Sequence, residues 1–106
     1  MLENIQHCFQ ENKVVYSQHA REEMLQEPFG RIFENEVYEA ILKGKIIESY
    51  LADKPYPSCL IFGKTKKRRP IHIVCAYSKE EDFCIVITVY QPNQKVWINY
   101  RKRRKP

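Results

Sequence analysis

With 106 residues, 43% of them hydrophobic and 29% charged, the chain has the size and composition of one globular domain with a single modest core. Seven tyrosines and five phenylalanines exclude a disordered composition, and no apolar run approaches membrane-spanning length. The net charge of +5 conceals a polarity: residues 1–50 carry nine acidic and five basic side chains, whereas residues 51–106 carry four and thirteen.

Leu2, Ile5, Cys8 and Phe9 recur at helical spacing and predict a short amphipathic helix over about residues 2–12. No apolar signal-like segment follows Met1-Leu2-Glu3-Asn4, so the expected location is cytoplasmic, with no membrane partner. Ser17 has the chemistry to cap a second helix, Gln18 to Gln26, by accepting from the amide of Ala20 or Arg21; Pro28 and Gly30 end that pattern. A third helix is read from Asn35 to Lys43, with Val37, Ile41 and Leu42 on one stripe and Gly44 as its stop.

Beyond Gly44 the period changes. Lys45–Ala52, Ser58–Gly63, Arg69–Ser78 and Phe83–Tyr90 are rich in Ile, Val, Tyr and Phe and are joined by short polar connections, as in consecutive antiparallel hairpins. Val96–Tyr100 is read as a short fifth strand. The expected fold is α+β: two or three N-terminal helices packed on one face of a four- to five-stranded, mainly antiparallel sheet, in a single domain spanning residues 1–106 with a basic tail at 101–106. Cys8, Cys59, Cys75 and Cys84 form no C-x-x-C pair and are expected to be reduced and buried, and no metal or other cofactor is expected.

The polar residues are few enough to weigh one by one. His19 stands at a helix start, where it either caps or packs, or takes part in chemistry. His72 alternates with Val74 and Ala76 on one face of its strand, opposite Ile71, Ile73 and Cys75; it is either a satisfied core histidine or a pocket group. If Val74 pairs with Thr88, His72 lies opposite Tyr90 and the two share a face; a one-residue slip separates them. The shared face is the expected register, although the connection through Lys79–Phe83 has the length of either alternative. Lys64, Lys66, Lys67, Arg68, Arg101, Lys102, Arg103 and Arg104, with Arg21, are the expected contacts to a polyanion; like-charge runs of this kind are otherwise solvated surface.

The opening Ser17-x-His19-Ala20, the strand Gly44-Lys45-Ile46-Ile47-Glu48-x-Tyr50, the strand Arg69-Pro70-x-His72 and the ending Thr88-Val89-Tyr90-x-Pro92 followed by Trp97 occur in an order that resembles the DUF4258 family. The resemblance spans about residues 15–104. It implies a compact curved sheet of the RelE/barnase/EndoU kind, and a toxin of a toxin–antitoxin pair or a metal-independent ribonuclease, with an antitoxin encoded nearby as partner. Where the family commonly reads His-Ala-x-x-Arg-Met, this chain has Glu23 before Met24, four residues from His19.

Cleaving RNA without a metal needs a base for the 2′-hydroxyl proton, an acid for the departing oxygen, and cations on the phosphate. His19 and His72 are the expected acid and base, Arg69 the phosphate clamp and Tyr90 an orienting or acidic hydroxyl. The alternative is a non-catalytic module whose basic surface binds single-stranded RNA, messenger RNA included, or an antitoxin.

Overall fold

The computed structural model describes residues 1–105; Pro106, the last residue of the expected tail, lies outside the described residues. Three helices, α1 (Leu2–Gln10), α2 (Gln18–Gln26) and α3 (Glu34–Leu42), precede the hairpin strands β2 (Lys45–Tyr50), β3 (Ser58–Lys64), β4 (Pro70–Ser78) and β5 (Phe83–Tyr90). A further strand, β1 (Val14–Tyr16), lies between α1 and α2 and was not evident in the sequence, since three residues carry too little alternation to be recognised. It pairs with β5 in parallel and completes a five-stranded sheet of order β1-β5-β4-β3-β2, otherwise antiparallel. The architecture is α+β, as the pattern of helical and then strand periods predicts.

Cross-strand partners share a face, so the register sorts the sheet's two surfaces. One face carries Ile61, Ile73 and Val89, which are aligned across β3, β4 and β5, and Cys59 beside Cys75. With Ile5, Phe9, Val37 and Ile41 from α1 and α3 these side chains form the core, and all four free cysteines are buried. Helix α3 lies so close to β3 that a Cβ at Gly63 would stand 1.9 Å from the Ala40 carbonyl oxygen, which explains a glycine in an otherwise bulky strand.

The other face carries the row Phe62–His72–Tyr90. The expected register is the one observed: Val74 pairs with Thr88 and His72 with Tyr90, with an irregularity immediately beyond, between Val74 and Cys75. That irregularity shifts the pairing by one residue, and the hairpin closes with Ser78 opposite Phe83, so Phe83 belongs to β5 and the connection is shorter than the sequence suggested.

Helix α2 runs beside β5 where β1 has ended. Ser17 caps it as predicted, accepting from Ala20 N at 3.0 Å, and donates its hydroxyl to the Ile87 carbonyl. Glu23 accepts from the backbone N–H of Val89 at 3.0 Å and Glu27 from that of Gln91 at 2.8 Å. Three side chains thus satisfy the strand-edge groups of residues 87, 89 and 91 in place of a longer neighbouring strand.

The C-terminal segment departs from expectation. Val96–Tyr100 adds no strand to the main sheet; instead β6 (Trp97–Ile98) pairs with β7 (Lys102–Arg103) in a small antiparallel hairpin. Residues 101–105, expected as a basic tail, include one strand of that hairpin and are held by Arg103 on Glu48 and by Arg104 donating to the Gln94 carbonyl at 2.8 Å. Charge alone suggested solvation; the ion pair with a carboxylate far away in sequence is a tertiary effect.

Candidate nucleic-acid interface

Unpaired charge gathers in a cleft of about 290 Å3 where the end of α3, the start of β2, the β3–β4 turn and the C-terminal hairpin meet. Lys43, Lys45, Lys64, Lys66, Arg68 and Arg101 line it around a floor of Phe62 and Gly63, and no carboxylate lines it. Among the described residues none of these six cations is in an ion pair. Local structure explains the convergence. The antiparallel register sets Lys45 opposite Phe62 and Lys64 opposite Pro70, while Thr65 closes the turn by accepting Arg68 N at 2.8 Å on its carbonyl and Arg69 N at 3.1 Å on its hydroxyl. Arg68 takes a left-handed conformation there, with φ +68°, and the turn points its side chain outward with Lys66.

Four of the cations were evident in the two basic runs. Lys43 and Lys45 were not, because they lie in the acidic half of the chain; their one signal is that they flank Gly44 at a helix-to-strand corner. Lys67 falls in a neighbouring cleft that also contains Glu36 and Glu39, so its field is offset; Lys66 lines both clefts, and its backbone N–H donates to Glu39 at 3.0 Å. Arg21 stands away from the cleft, paired with Glu34 at 3.2 Å and over the Tyr16 ring. Lys102 and Arg104 are exposed on the hairpin.

The four residues expected to perform catalysis have separate fates. His72 has no exposed surface, lying beneath the hairpin with Trp97 edge-on at 4.5 Å and Phe62 at 5.8 Å. Its Nε2–H donates to the Tyr100 carbonyl at 2.6 Å, because a carbonyl only accepts; Nδ1 is therefore the acceptor for the Tyr90 hydroxyl at 3.1 Å. Burial holds the imidazole down at about 4, against the Tyr100 hydrogen bond and Glu48, so the ring is neutral at pH 7. Burial likewise pushes the Tyr90 hydroxyl up to about 12. Of the two expected environments for His72, the satisfied core histidine is the one that is built.

His19 is on the outer side of α2 with its side chain 66% exposed, and its Nε2 meets Glu23 at 3.3 Å. It makes no contact with His72, so the fold does not unite the two imidazoles. The reason is that α2 turns Ala20 and Met24 inward, which leaves His19 facing water. Arg69, expected as a phosphate clamp, is only 18% exposed, and all three of its guanidinium nitrogens are engaged. It donates to Gln91 at 2.7 Å, to the Arg31 carbonyl at 2.9 Å, to both oxygens of Glu36 and to the Gly30 carbonyl, and so ties the α2–α3 connection to the sheet. No group of three or more His, Cys, Asp or Glu side chains suited to a metal occurs among the described residues.

A family model described as a domain of unknown function, DUF4258, matches residues 16–91. The chain belongs to the DUF4258 family. Comparison with curated proteins and with solved structures gave no match. The matched span of the DUF4258 domain runs from β1 through the end of β5 and includes α2, the His72–Tyr90 pair and most of the cationic cleft. Glu23, which takes the place of the arginine that the family resemblance leads one to expect, is the acceptor for Val89 N and the partner of His19. In this member of the DUF4258 family the position seals a strand edge.

Proposed function

We propose that this protein binds single-stranded RNA through the cleft between Lys43, Lys45, Lys64, Lys66, Arg68 and Arg101, with the phosphates taking the place of counterions. The observation that supports the reading is six converging cations with no carboxylate among them. Cations so arranged repel one another and gain from a polyanion through release of its condensed ions. The concavity favours a single strand, whose backbone bends into a pocket that a stiff duplex would bridge. RNA is the nucleic acid that the family resemblance implies.

Cleavage is the less supported reading. With the hairpin closed, both His72 nitrogens are engaged and the ring is shielded from water, and each guanidinium nitrogen of Arg69 already serves an acceptor within the protein. The test is anisotropy of a labelled single-stranded oligouridine in EDTA. The double variant Lys43→Glu/Lys64→Glu is expected to weaken binding by about tenfold or more, and Arg21→Glu to leave it within about twofold. Equal losses from both would remove the cleft from the reading. RNA that is cut by the wild type but not by His72→Ala would instead favour the nuclease.

A further inference from the structure

Under the C-terminal hairpin the sheet carries polar groups that the cleft does not use. On the same face as His72 and Tyr90, further along the strands, stand Glu48 and Tyr50, the tyrosine hydroxyl donating to the Glu48 carboxylate. An open sheet surface bearing a histidine, two tyrosines and a glutamate would be an ordinary wet face. Here it is covered by one short excursion of the chain, two paired residues on each side of a turn in which Asn99 and Tyr100 are left-handed, with φ +50° and +62°.

The cover is anchored by the buried Trp97 and by Tyr100 against Phe62, and its two arginine contacts are exchangeable. Arg103 lies over the Trp97 ring at 4.6 Å and grips Glu48 at 2.9 and 3.2 Å, holding that carboxyl below its usual range. Arg101 lies over Phe62 at 5.5 Å and also lines the cationic cleft. Phe62 itself forms the floor of the cleft and packs on His72, so the cleft and the covered face are contiguous.

We propose that the hairpin formed by residues 97–103 is a lid over a second phosphodiester-binding subsite made by His72, Tyr90 and Tyr50, and that a polyanion seated in the cleft lifts it by drawing Arg101 from Phe62 and Arg103 from Glu48. The inference rests on the cleft being the polyanion site. The differential affinity that any such shift requires is explicit. In the closed form Arg103 is neutralised by Glu48 and His72 donates to Tyr100; in the open form the guanidinium, the His72 Nε2–H and both hydroxyls turn to phosphate oxygens. The strand would then continue from the cleft over Phe62 onto the sheet face.

Trp97 is the chain's single tryptophan and reports on the lid directly. Acrylamide quenching of its emission is followed while an unlabelled single-stranded oligouridine is added, and binding is scored separately by anisotropy of the labelled strand. Opening raises the quenching constant severalfold with the same midpoint as binding. Binding with quenching unchanged or lowered, as expected for RNA lying on a closed lid, overturns the lid and leaves the cleft standing. Failure to bind removes the cleft; the lid is then judged on Glu48→Gln, which loosens Arg103 without any ligand. Raised Trp97 quenching in that variant, with far-ultraviolet circular dichroism unchanged, supports the lid. Unchanged quenching counts against it, and Arg103→Ala gives the same judgement if Glu48→Gln fails to fold.

Discussion

Salt dependence offers the most demanding test of the cleft, because its magnitude follows from a count of charges. Single-stranded nucleic acid loses about 0.7 of a bound counterion for each phosphate neutralised. Six cations line the cleft, so full engagement gives a slope of log affinity against log salt of about −4. Raising salt from about 50 to about 200 mM then weakens binding by about 300-fold. In Lys45→Ala/Lys64→Ala two of the six charges are removed, and the slope is expected to fall to about −3. The assay is anisotropy of labelled oligouridine over a salt series, wild type beside variant, at fixed pH in EDTA. A wild-type slope shallower than about −1, or a double variant with an unchanged slope, would refute electrostatic capture by these side chains.

Two further outcomes concern groups that hold the site in place. His72 takes a proton in the unfolded chain near its usual 6.5 but in the folded protein only near 4, so stability is complete above about pH 6.5 and declines as pH falls toward 4. The loss over that window is on the order of 3 kcal/mol, read as a falling urea midpoint between pH 7 and pH 4.5; His72→Gln should flatten that part of the profile, and an unflattened profile would mean that another group carries it. Glu23→Ala strips the acceptor from the buried Val89 N–H and should cost about 1–3 kcal/mol, whereas Glu23→Gln, which keeps a carbonyl oxygen, should cost clearly less. Equal costs in urea unfolding would show that the carboxylate charge of Glu23, not its hydrogen bond to the strand edge, is what stabilises the fold.

The C-terminal hairpin is the physical reason why a histidine opposite a tyrosine on a polar sheet face is closed to solvent. Nothing in the strand pattern of residues 70–90 signals a cover. It comes from Trp97 and Tyr100, which pack on the ring and accept its proton, and from an ion pair between residues 48 and 103.

Much of this molecule was written locally. A capping serine and the Pro28/Gly30 break set α2 at its observed limits, and β-rich composition between short polar connections set β5 and fixed β3 and β4 to within a residue. The cap at Ser17 depends on two neighbouring turns of chain, and the His72–Tyr90 register follows from one hairpin. Interactions across long separations were decided only by tertiary structure. Side-chain type could not reveal that Arg69 is held by Gly30, Arg31, Glu36 and Gln91, that Glu23 seals the edge of β5, or that Lys43 and Lys45 from the acidic half join the basic runs in one cleft. A charged residue's role is set by what the fold brings within hydrogen-bonding distance, and for these residues the partners stand tens of positions away.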